Sequence, residues 1–103
     1  KDLNVNPAPV FVTVFDEERL LESFKLASEL RRAGLEVVCY PVATKLQKQF
    51  KYADRIGAKL TLVLGPDEVQ NGQVAVKNLV NGEQVSAPRE SLVDSIKSMI
   101  NSR

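Results

Sequence analysis

The chain contains no histidine and a single cysteine, Cys39, in 103 residues. Without histidine, Ser-His and Cys-His nucleophile pairs and the commonest metal ligand are all removed at once. One cysteine cannot form an internal disulfide, which argues against the oxidised, secreted class of small domains. No apolar run is long enough to span a bilayer, and no signal-peptide pattern opens the sequence. There is no Gly-x-Gly-x-x-Gly stretch after the first apolar run and no Walker loop, so a nucleotide cofactor lacks its usual phosphate cradle. Carboxylates cluster at Asp16-Glu17-Glu18 and Asp67-Glu68, but no second group of ligands accompanies them, and cap or turn roles account for them. Neither a catalytic centre nor a metal site is expected within these residues.

What is present is ordinary in amount and uneven in placement. A hydrophobic fraction of 44% and a charged fraction of 26% fit one soluble globular domain. A domain of this size buries one core, with little left for a large cleft. The formal net charge is only +1. Yet residues 44–59, TKLQKQFKYADRIGAK, hold the five bases Lys45, Lys48, Lys51, Arg55 and Lys59 against the single acid Asp54. A chain that opens on Lys1-Asp2-Leu3 without methionine is expected to be part of a longer protein.

Hydrophobic period and turn residues divide the chain as follows. Residues 1–8 are polar, with Asn and Pro, and read as a linker or arm; residues 9–103 form the domain. PVFVTVF (9–15) is a nearly continuous β-branched and aromatic run, which suggests a strand covered on both faces. Asp16 stands at an N-cap position, followed by a helix whose apolar residues are Leu20, Leu21, Phe24, Ala27 and Leu30 and which ends near Gly34. Residues 35–40 make the second strand. Thr44 and Gln47 have the spacing of a capping box, which predicts a helix from Lys45 with Leu46, Phe50, Ala53 and Ile56 toward the core. Lys48, Lys51 and Arg55 then share the opposite arc. LTLVL (60–64) is the third strand, stopped by Gly65-Pro66. VAVKNLV (74–80), Asn81-Gly82 and residues 83–86 read as a two-residue hairpin. Pro88 fits the first turn of a last helix bearing Leu92, Val93, Ile96, Met99 and Ile100.

This order predicts an α/β fold: three layers, α/β/α, around a five-stranded mixed sheet of order 2-1-3-4-5, with strand 4 antiparallel. Open α/β sheets take ligands beyond the carboxyl ends of their strands, where strand order reverses. Three stretches share that rim: Phe15-Asp16-Glu17, residues 42–45, and Pro66-Asp67-Glu68. The basic helix starts from it. A helix that is merely solvated interleaves acids with its bases at i,i+4; this one has Asp54 alone, so an anionic partner is expected. Phe50, on the apolar arc, and Phe15, closing the first strand, are expected in the core, while Tyr52 lies close to the basic side.

The stretches ASELRRAGLEVVCYP (27–41), KLQKQFKYADRIGA (45–58) and LVLGPDEVQNGQVAVKNLVNGEQ (62–84), with the terminal helix, resemble the C-terminal anticodon-binding domain of class IIa aminoacyl-tRNA synthetases. The histidyl branch is the most similar, through KQFKYAD and VKNLVNGEQ. Gln47 stands where a glycine is common in that family. The resemblance implies a module that receives the tRNA anticodon loop and reads its unpaired bases. It implies that Glu68 accepts from base donors and Lys77 donates to a base or phosphate. Val42, Ala43 and Thr44 would offer groups at the rim, and Lys45, Lys48 and Gln49 would hold the sugar-phosphate backbone. It further implies ATP-dependent charging of tRNA(His) by a catalytic domain of the same chain that uses ATP and Mg, a homodimeric parent enzyme in the cytoplasm, and no membrane or cofactor for this domain. The competing readings are a synthetase-like regulatory or protein-docking domain, as in relatives within a stress-responsive kinase and a polymerase accessory subunit, and a small-molecule-binding α/β domain.

Overall fold

The computed structural model describes residues 10–101; the arm expected over residues 1–8 lies outside them. The strands β1 (Val10–Val12), β2 (Val37–Cys39), β3 (Leu60–Val63), β4 (Gln73–Asn78) and β5 (Gln84–Pro88) form one sheet in the order β2-β1-β3-β4-β5. β1 runs parallel to β2 and β3, in register Val10↔Val37 and Val10↔Leu60, while β4 is antiparallel to both β3 and β5. The architecture expected from the order of elements is the one observed.

β1 is central, and its alternate residues feed two cores. Val10 and Val12 pack with Leu26, Ala27 and Leu30 of α1 (Leu20–Arg32) and with Leu92 and Ile96 of α4 (Leu92–Asn101). Phe11 packs on the other face with Ala53 of α2 (Leu46–Arg55), joined by Val38, Tyr40, Ile56 and Leu79. Both parities of the strand are therefore apolar, as a doubly covered strand requires.

Several local expectations are corrected. Asp16 does cap, its Oδ1 accepting from the Arg19 N–H at 3.0 Å, but the cap opens a 3₁₀ turn, Glu17–Arg19, before α1 begins. The buried face of α1 is Ser23, Leu26, Ala27 and Leu30, so Leu21 and Phe24 remain exposed. The face that α1 turns to the sheet is thus rotated away from the one drawn through the largest side chains. The Thr44–Gln47 capping box does not form: α2 starts at Leu46, and Lys45 at its N-cap makes no side-chain cap bond. The turn is instead fixed from inside the fold by Gln49, described below. Residues 66–71, expected only as a rim loop, form a short helix, α3 (Pro66–Asn71), with Pro66 in its first turn and Glu68 Oε1 accepting from the Gly65 N–H at 2.8 Å. The turn between β4 and β5 is longer than two residues. The Gly82 N–H reaches Asn78 O at 2.8 Å, and Asn78 Oδ1 accepts from Val80 and Asn81. The Leu79 N–H donates to Lys59 O at 2.8 Å and the side chain packs in the α2-side core, which draws the strand end inward and widens the turn. Pro88 closes β5 rather than opening the last helix, and a second 3₁₀ turn, Arg89–Ser91, leads into α4.

Candidate nucleic-acid interface

Gln49 is the hinge of the rim. It is fully buried: its Nε2 donates to Val14 O and Thr44 O, both at 2.9 Å, and its Oε1 accepts from the Val14 N–H at 2.8 Å. One side chain thus ties the carboxyl end of β1 to the chain entering α2. This corrects the expectation that Gln49 grips the RNA backbone, because its amide is spent inside the fold and has no solvent face. The other expected residues keep theirs. Val42 is 55% exposed, Ala43 and Thr44 are half-buried, and Lys45 and Lys48 are exposed at the start of α2.

Along α2 the bases Lys48, Lys51 and Arg55 are exposed, as is Lys59 just beyond, and no ion pair engages them among the described residues. Lys77, in register with Thr61 of β3, lies on the α2 side of the sheet, and its Nζ sits 5.2 Å from the centroid of the Phe50 ring. Phe50 is half-buried rather than a core residue, and its ring face holds the ammonium by cation–π attraction. Lys77 and the bases of α2 therefore lie on the same face of the sheet. On the opposite flank of α2, Tyr52 packs against Tyr40 and Phe11, with ring centroids 5.7 and 5.9 Å away, and borders a cavity of about 310 Å³ lined by Val38, Cys39, Tyr40, Pro41 and Val42. Burial pushes the Cys39 thiol up to about 11, against a lowering by Arg31, so no thiolate stands in that cavity at neutral pH.

Glu68 lies across the rim. Its Oε1 is held by the Gly65 N–H, and the ring of Phe15, 38% exposed, approaches the same glycine. The expectation that Phe15 is buried is overturned: the buried run ends at Val14, and Phe15 turns outward beside Glu68. Contacts run continuously from Thr44 through Gln49 and Val14 to Phe15, Gly65 and Glu68. The structure thus joins Thr44 and Glu68 around the end of β1, and Lys77 and α2 along the sheet face. Sequence reasoning weighs Phe15 as a ring able to stack on bases and places it in the core; the signal of its exposure is an aromatic residue set between the strand and the Asp16 cap, on the rim itself.

A family model described as "Anticodon binding domain" matches residues 9–99. The chain belongs to this family. The anticodon-binding domain is 32% identical over 94 residues to a histidine–tRNA ligase of Clostridioides difficile, covering 91% of this chain and 22% of that protein. With a histidine–tRNA ligase of Archaeoglobus fulgidus it shares 42% over 71 residues, 69% of this chain and 17% of the relative. Among solved structures, histidyl-tRNA synthetase from Nostoc sp. PCC 7120 superposes with a TM-score of 0.88 at 32% identity, over 93% of the domain and 23% of that chain. The RNA binding domain of threonyl-tRNA synthetase from Cryptosporidium parvum shares the fold, with a TM-score of 0.81 at 20% identity over 90% of the domain and 24% of that chain. The domain spans less than a quarter of the length of these relatives. Among the described residues no helix is long and apolar enough to cross a membrane, and no cluster of three or more potential metal-ligating side chains occurs.

Proposed function

We propose that this anticodon-binding domain is the recognition module of a histidine–tRNA ligase, receiving the anticodon loop of tRNA(His) while a catalytic domain of the same chain carries out ATP-dependent aminoacylation. The observation that carries this reading is the concentration of exposed bases on and around α2, Lys45, Lys48, Lys51 and Arg55, with Lys77 on the same face of the sheet and no acidic partner to any of them among the described residues. Uncompensated cations beside a rim with an aromatic ring and a carboxylate suit a single-stranded RNA loop, whose phosphates supply affinity and whose exposed bases supply identity. Lys45 and Lys48 take the sugar-phosphate backbone, and Lys77 a base or phosphate. Val42, Ala43 and Thr44 border the loop, and Glu68 accepts from base donors through the oxygen that Gly65 does not use. ATP and Mg²⁺ belong to the catalytic domain, and this domain works without a cofactor. The parent enzyme acts as a homodimer in the cytoplasm, away from membranes.

The test is binding of tRNA(His), and of a stem-loop carrying the G-U-G triplet, to the full-length chain. Glu68→Ala is expected to shrink the preference for G-U-G over mismatched triplets by about 1–3 kcal/mol, with smaller effects on binding to mismatched loops. Full discrimination by the Glu68→Ala chain would remove its base-reading role. Indifference of the unmodified chain to tRNA(His) would favour the protein-docking alternative.

A further inference from the structure

We propose that Phe15 is a stacking platform for one flipped-out base, whose N–H-bearing edge is turned toward Glu68; this rests on the anticodon-recognition reading. The five residues from Val10 to Val14 are fully buried, yet the next, a phenylalanine, is 38% exposed. Its backbone is fixed on both sides. Val14 is held through its N–H and its C=O by Gln49, and Asp16 is held through Oδ1 and its carbonyl by the Arg19 N–H, at 3.0 and 3.2 Å. Anchors on both sides fix where the ring's Cα stands, so the backbone at this position needs little further ordering when a ligand covers the ring.

Gly65 adds an independent observation. Its φ of −91° is open to any residue, so its backbone does not demand glycine. The space above it is already taken: a Cβ there would stand 2.6 Å from Glu68 Oε1 and 3.2 Å from two ring carbons of Phe15, so a side chain enters only if the carboxylate tip and the ring give way. The carboxylate and the ring thus meet over a bare glycine, separated by less than the sum of those distances. Oε1 is oriented by the Gly65 N–H at 2.8 Å, and among the described residues Oε2 has no hydrogen-bond partner. The arrangement offers a flat apolar face beside an oriented acceptor, complementary to a nucleobase that has a π-face and ring or exocyclic N–H donors. A carbonyl oxygen of a base turned to the same place is repelled by the carboxylate, whereas a ring or amino N–H is drawn to it.

The experiment uses the full-length chain with tRNA(His) anticodon stem-loops in which 2-aminopurine replaces each anticodon-loop base in turn, read by its emission, alongside affinity and thermal melting. In one loop position, binding is expected to quench 2-aminopurine, and Phe15→Ala to abolish that quenching and weaken binding about ten- to a hundredfold. Phe15→Trp should keep both within about threefold, since the flat face remains. Phe15→Leu, which keeps apolar bulk without a flat face, should lose the quenching. An unchanged melting temperature in Phe15→Leu separates this from a packing role. Equal binding and equal quenching in wild type, Phe15→Ala and Phe15→Leu would overturn the platform. If the stem-loop nevertheless responds to Glu68→Ala, the anticodon-recognition reading survives; if neither variant matters and wild type ignores the triplet, both fail.

Discussion

At the scale of single residues, Gln49 shows how one polar side chain organises a functional rim without touching the ligand. Its amide makes three hydrogen bonds in a site with no solvent access, so an apolar substitution strands the Val14 N–H and two carbonyls. A buried unsatisfied group costs about 1–3 kcal/mol, and Gln49→Met, which conserves length and apolar stem, is expected to lower unfolding free energy by about 2–4 kcal/mol. Chemical denaturation measures it; a loss below about 1 kcal/mol would mean that the rim re-pairs without the amide. The family resemblance placed Gln49 on the RNA backbone, and a motif carries over a residue type without saying whether its side chain is already satisfied inside the fold. Position 49 nonetheless lies on the same helical arc as Leu46, Phe50 and Ala53, and a glutamine on an apolar arc is itself a sign of an internal tie. The exposed Phe15 was illegible for the converse reason: hydrophobic type predicts burial only on average.

At the scale of elements, α2 combines three tasks along its circumference. Ala53 and Ile56 join the small core, Phe50 faces Lys77, and Lys48, Lys51 and Arg55 face outward. This division was readable from the period of the sequence, because charge and hydrophobicity alternate at helical spacing. The start of the helix was not, because the Thr44–Gln47 spacing competes with a tertiary tie that no local pattern encodes. In α3 the opposite holds: Pro66 in the first turn and Glu68 reaching back to the Gly65 N–H are local signals for a helix that the short length obscured. If the outer arc binds phosphates, each lysine removed releases about one fewer counterion. Lys48→Ala should therefore reduce the slope of log affinity against log salt by about one, with triplet preference unchanged. Titrations of the stem-loop between low and moderate salt measure this. An unaltered slope would assign Lys48 to the solvated surface.

At the scale of the molecule, the sheet separates stability from recognition. The larger core, with Leu26, Leu30, Leu92 and Ile96 against β1, β3 and β4, lies on one face; the α2 surface with Lys48 and Lys77 lies on the other. That two-sided plan was visible in the order of strands and helices, because right-handed crossovers from a central strand leave few topologies open. What each face does follows from how thickly it is covered. α1 and α4 bury the central strands on their side, leaving Val85 of the edge strand β5 exposed, whereas α2 leaves Gln84 and Ser86 of β5 exposed on the face of Lys77. Truncating a fully buried isoleucine on the thick side, Ile96→Ala, is expected to cost about 2–5 kcal/mol of stability. Well below the new melting temperature it should change stem-loop affinity by less than about twofold, because Ile96 shares no partner with the cationic face. Lys48→Ala should do the reverse, and the double variant should combine the two stability changes within about 0.5 kcal/mol. Paired denaturation and binding measurements on the four proteins decide it. Coupling well beyond that limit would mean that the sheet transmits strain between its faces, and that recognition is tuned by the core rather than insulated from it.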